Sequence, residues 1–125
     1  MAFEQDRETI AREETPDLIS SDKVQGTAVY DRDGERLGTV DCFMVGKQDG
    51  RVRYAVLSFG GLFGMGENFH PLPWEVLTYD VGQGGYVVSL SKEELEKSPS
   101  YKAGSEPRFD REYGKGVYGY YGLNY

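Results

Sequence analysis

At 125 residues the chain has room for one domain and not for two of ordinary size. Its net charge of -7 excludes the clustered Lys and Arg that displace counterions from a nucleic-acid backbone or hold an anionic lipid surface. Cys42 is the only cysteine, which excludes an internal disulfide, and no run approaches the ~20 apolar residues of a membrane span.

Residues 1–17 carry six acidic and two basic side chains, with little apolar content beyond Phe3 and Ile10. They lack the apolar stretch of a secretory signal and are expected as a charged, flexible leader on a cytoplasmic protein. From Leu18 the pattern changes. A short extended entry and a polar link lead into a strand over 26–30 with alternating faces. Asp31, Asp33, Gly34 and Glu35 then read as a hairpin loop, with the Asp-Gly pair supplying positive φ. They also begin like a calcium loop, but such a loop needs glycine at its sixth position and a carboxylate at its twelfth. Gly34 falls at the fourth, and position 42 is Cys.

Residues 37–45 form the next strand, apolar on both faces, with Gly38 and Gly46 placed for a bulge or bend. A second Asp-Gly turn at Asp49-Gly50 returns the chain along 52–59, again apolar on both faces. Two long neighbouring strands of this kind cannot both be half exposed in a flat sheet. A small closed or nearly closed barrel, with something covering part of its outside, resolves the conflict.

Gly60 opens a glycine-rich turn, and residues 67–72 are extended again. Pro71 and Pro73 place that segment at an edge or at its end. Strands over 74–79 and 86–90, joined by a Gly-rich loop, complete a set of six. Ser91 and Glu94 form a capping box for a short helix over 92–97, which Pro99 ends. A helix of two turns cannot stand alone, so it must pack on the barrel. Residues 102–125 are rich in Gly, Tyr and charge and have little aliphatic content. They are expected as a tail with no core of its own, free to lie on its own barrel, reach a second subunit or await a partner.

The ordered set of features resembles the PRC-barrel family, named for the cytoplasmic domain of the photosynthetic reaction-centre H subunit. It comprises Gly26 and Val29, the Asp31-to-Gly34 loop, Leu37-Gly38-Thr39-Val40, Tyr54-Ala55-Val56-Leu57 and Gly60-Gly61-Leu62-Phe63-Gly64-Met65-Gly66-Glu67. Pro71-Leu72-Pro73-Trp74, the Ser-Lys-Glu-Glu-Leu helix opening and Pro99-Ser100-Tyr101 finish it. It covers residues 18–101, and Tyr118-Gly119-Tyr120-Tyr121-Gly122 is similar to the endings of stand-alone bacterial members. The resemblance implies an all-β fold: a six-stranded barrel with a short C-terminal helix and extended terminal arms, acting in assembly.

No catalytic, cofactor or metal-ligating constellation emerges. The Gly60–Gly66 turn is followed by an extended segment with prolines, not by the helix a phosphate cradle needs. His70 and Cys42 are the only residues of their kinds, and Cys42 sits mid-strand on an apolar face. His70, before a proline on an expected edge, is read as a surface contact. The expectation is a non-enzymatic protein-interaction or assembly module, homodimeric or a peripheral part of a larger complex. Phe63, Phe69, His70, Trp74, Tyr118, Tyr120 and Tyr121 are its candidate contact residues. Two alternatives are a small-ligand site or weak enzyme using Glu67 at the 60–67 corner, and, by analogy with the family, a peripheral electron-transfer scaffold.

Overall fold

The computed structural model describes residues 17–60 and 67–125. A four-residue helical turn, α1 (Ser21–Val24), leads into β1 (Ala28–Tyr30), β2 (Arg36–Val45), β3 (Val52–Gly60) and β4 (Glu67–Pro73). A 3-10 turn (Trp74–Val76) links β4 to β5 (Leu77–Asp80), followed by β6 (Gly85–Val88), α2 (Lys92–Lys97), β7 (Tyr101–Lys102) and α3 (Arg111–Tyr120). The strands form one sheet in the order β5-β6-β1-β2-β3-β4-β7, antiparallel except where β1 pairs with β6.

The expected six-stranded barrel is thus corrected to a seven-stranded sheet that does not close. The seventh strand is only two residues long, pairing Tyr101 and Lys102 with Phe69 and Asn68. Where a strand was expected from Trp74, the 3-10 turn interrupts the ladder, and β5 and β7 remain as its two ends. Pro71 and Pro73 lie past the two residues that β7 covers, so the edge that proline requires begins there.

Strand β2 explains how one strand feeds the core with residues three apart. The pairing with β1 passes from Gly38 to Arg36 and skips Leu37, and the pairing with β3 passes from Val40 to Cys42 and skips Asp41. Each extra residue shifts the alternation by one. Leu37, Val40 and Phe43 therefore all join the main core, with Val29, Leu57, Phe59, Leu72, Tyr86, Val88 and Leu95. Gly38 is required at its place: a Cβ there would meet the Ser58 carbonyl oxygen at 2.1 Å.

Helix α2 follows its sequence signal. The Ser91 side chain accepts from the Glu94 amide and the Glu94 carboxylate accepts from the Ser91 amide, each at 3.1 Å. Leu95 is its one residue in the core and is fully buried, worth ~1.5–3 kcal/mol by transfer alone.

The tail is the larger correction. Rather than an extended arm, residues 111–120 form α3, which covers the face of β3 turned away from the main core. Asp110 caps its start by accepting from the Tyr113 amide at 2.9 Å. Gly122, at φ +73, ends it: Leu123 N–H reaches the Tyr118 carbonyl and Gly122 N–H the Gly119 carbonyl, the paired bonds of a Schellman stop. Val117 and Tyr118 pack on Tyr54 as a second small core, joined by Met44, Phe109, Tyr113, Tyr121 and Leu123. The cover that β3 needed on its second face is the chain's own C-terminal helix.

Candidate interaction site

Most of the residues expected to meet a partner are engaged within the chain. Phe69 stacks on Tyr101, with centroids 5.6 Å apart. Trp74 is half-buried, edge-on to Phe43 at 5.2 Å and to Tyr86 at 5.8 Å. Tyr118 is buried, and its hydroxyl donates to the Arg53 carbonyl at 2.6 Å. Tyr121 is half-buried, with its hydroxyl enclosed beside Ser98. Burial pushes both phenols up to about 12. Tyr120 alone of the tail candidates is well exposed, and its hydroxyl donates to the Glu94 carbonyl at 2.9 Å. Of the three places open to the tail, it lies on its own chain, against the sheet. Phe63 and most of the Gly60–Glu67 corner lie outside the described residues.

His70 is not a surface residue. It is 1% exposed, because it lies on the same face of β4 as Leu72, turned into the main core beside Leu57, and Ser98 at the end of α2 closes over it. Its Nδ1 lies 2.8 Å from Ser98 Oγ, and that hydroxyl donates to the Leu95 carbonyl at 2.7 Å. The serine has one proton, so Nδ1 carries the imidazole's hydrogen and Nε2 is a bare lone pair. Nε2 is buried without a hydrogen-bond partner among the described residues. Burial lowers the imidazole to about 4.

Cys42 does not pair with it. Cys42 lies in register with Val56 and Pro71, whereas His70 shares the next row with Leu57 and Val40, so the two side chains point to opposite faces. Burial, then Asp41, pushes the Cys42 thiol up, which keeps it a protonated packing group.

The open surface lies elsewhere, in a cleft of about 770 Å³ between the start of β3, the 3-10 turn and α3. Arg51 directly precedes β3, and Arg53 is the residue that the ladder with β2 skips between Tyr54 and Val52, an irregularity that leaves Arg51, Val52 and Arg53 all lining the cleft. Trp74 and Glu75 come from the turn and Arg111 from the first residue of α3. Past the stop at Gly122 the chain folds back, bringing Leu123, Asn124 and Tyr125 to the same cleft. Arg53 is held by Asp49 at 2.7 Å, and this bond, with the Arg51 backbone N–H, holds the Asp49 carboxyl below its ordinary range. Glu75 lies against Tyr118 and, among the described residues, is the only acidic one lining the cleft.

Sequence reasoning missed these arginines. Two of them stand together in the Arg-Val-Arg run after the Asp-Gly turn, but Arg111 joins them only once the tail is helical.

The sequence model of the PRC-barrel domain matches residues 16–95, well over half of the chain. The chain belongs to the PRC-barrel family. An uncharacterized protein of Deinococcus radiodurans is 31% identical over 78 residues, which is 62% of this chain and 27% of that relative. This PRC-barrel chain thus spans about a quarter of its relative's length. The cleft draws Arg51, Arg53, Trp74 and Glu75 from the matched barrel and Arg111 and Leu123 to Tyr125 from beyond it. Among the described residues no helix is long and apolar enough to cross a membrane.

Proposed function

We propose that this PRC-barrel chain is a non-enzymatic interaction or assembly module that docks a partner protein in the cleft between β3 and α3. The observation that carries the reading is the build of that cleft. One wall is a sheet strand, the other is a helix pinned to it by a buried tyrosine, and the opening presents cationic and aromatic side chains together. Arginine and aromatic groups are the side chains that contribute most at interface centres. A rigid wall also lowers the ordering cost of docking.

The test is capture from native lysate, membranes included, with stoichiometry read by mass spectrometry. It is run on the parent chain and on an Arg51→Glu/Arg111→Glu variant, with the mass of the purified protein measured by light scattering. One partner at near-equal amounts, lost in the variant, supports the reading, as does a parent dimer that the variant breaks. Recovery of the protein alone, as a monomer, refutes it.

A further inference from the structure

The cleft has a chemical preference, and it runs against the character of the whole molecule. The chain carries 14 basic and 21 acidic residues, yet among the described residues Arg51, Arg53 and Arg111 line one cleft against the single acid Glu75. Arg53 is matched by Asp49. Arg51 and Arg111 are exposed and make no ion pair among the described residues. Two guanidinium groups without an ion pair therefore flank an apolar and aromatic lining of Val52, Trp74, Tyr118, Leu123 and Tyr125, with Asp49, which Arg53 binds, near enough to Arg51 for the two charges to attract. Guanidinium forks bind carboxylates in pairs of parallel hydrogen bonds, and apolar side chains between the carboxylates would meet the rings.

Resting on the interaction-module reading, we infer that the cleft takes an acidic, extended segment of a partner protein, with carboxylates on Arg51 and Arg111 and an apolar side chain between them. A cleft of about 770 Å³ holds a few residues rather than a folded surface. A nucleic-acid strand fits less well, since its continuous phosphate charge would extend onto a surface whose net charge is negative. A short peptide places charge only where the arginines are.

The experiment uses the full chain and three labelled twelve-residue peptides that repeat Glu-Glu-Phe, Ser-Ser-Phe or Lys-Lys-Phe, followed by fluorescence anisotropy at low and high salt. The Glu-Glu-Phe peptide should bind, the other two should not, and affinity should fall about twofold to fivefold when Arg51→Gln or Arg111→Gln is introduced. Raising salt from about 50 to 300 mM should weaken binding severalfold. Both arginines are exposed, and an unchanged thermal midpoint in each variant shows that the fold is intact.

Equal binding of the acidic and neutral peptides, or binding untouched by either substitution, overturns the inference. So does preferential binding of a labelled oligouridylate. If the acidic peptide fails while lysate capture still depends on Arg51 and Arg111, the interaction module stands and only the acidic partner falls.

Discussion

Tyr118 and Arg53 are 65 residues apart in sequence, yet the tyrosine hydroxyl donates to the arginine's backbone carbonyl at 2.6 Å. The bond ties α3 to β3 beside the cleft. Around it, rings run from Phe69 through Tyr101, Phe109 and Tyr54 to Tyr118 and Tyr125, each within 6.4 Å of the next. Tyr118→Phe should keep the ring packing and cost only the hydrogen bond, about 1 kcal/mol. Tyr118→Ala should cost about 3–5 kcal/mol, because it also opens a cavity against Tyr54. Urea unfolding of both variants checks this, and equal midpoints for Phe and Ala would show that α3 adds no packing.

Gly114 is where helix propensity and packing conflict. A Cβ there would stand 2.4 Å from the Tyr125 ring, so one of the two must move. The ring is 42% exposed and can leave. Gly114→Ala should gain up to ~1 kcal/mol of helix propensity and lose the edge contact of Tyr125 on Tyr118, leaving stability nearly unchanged. The visible effect is local. The Tyr125 ring protons should lose the ring-current shift from Tyr118 in the NMR spectrum, and a spectrum identical to the parent's would refute the displacement.

The six longer strands were legible because each carries its own local signal: alternating apolar residues between Asp-Gly or Gly-rich turns. The capping box of α2 was legible for the same reason. What sequence hid depends on partners distant in the chain. Helix α3 holds Gly114, Gly116 and Gly119 in ten residues, each costing about 1 kcal/mol against alanine. Its positive signal is the stripe of Tyr113, Gly114, Val117, Tyr118 and Tyr121, which only becomes an apolar face once Tyr54 is opposite. His70 looked exposed because its neighbouring prolines mark an edge, and the Ser98 that closes over it stands 28 positions away in the chain. The cleft inherited the first gap, since half of its lining comes from the tail: Arg111 and Tyr118 on the hidden helix and Leu123, Asn124 and Tyr125 past its end.

The start of α2 offers a separable test. Ser91 and Glu94 exchange two capping bonds, and the Glu94 carboxyl is held below its ordinary range by the Ser91 backbone N–H and then by its side chain. Ser91→Ala removes one bond and should cost about 1 kcal/mol. Helix α2 also carries Leu95 in the core and the Glu94 carbonyl that receives the Tyr120 hydroxyl. Loosening it should therefore speed amide exchange at Tyr121 in the tail as well as at Leu95 and Ser98. If faster exchange stops within α2, the helix is not coupled to the tail.

His70 sets an acid limit on stability. Its imidazole titrates near the ordinary 6.5 in the unfolded chain and is lowered to about 4 in the fold by burial. Between those values the unfolded state binds a proton that the native state excludes, so stability falls as pH drops. Above about 6.5 the residue is neutral in both states and its contribution is flat. By pH 4 the accumulated loss is about 3 kcal/mol. Protonation would place a hydrogen on Nε2, which has no acceptor among the described residues and packs near the Phe59 ring, 5.5 Å between centroids. His70→Asn should be less stable than the parent at pH 7, since it empties part of the core and disturbs the bond to Ser98. The difference should then narrow steadily from pH 6.5 to pH 4, because only the parent has a histidine to protonate there. Carboxylates titrate alike in both proteins and cancel in the comparison. Urea midpoints at pH 4.5, 5.5, 6.5 and 7.5 measure that difference, and a constant gap across the series would mean that His70 is not held neutral by its burial.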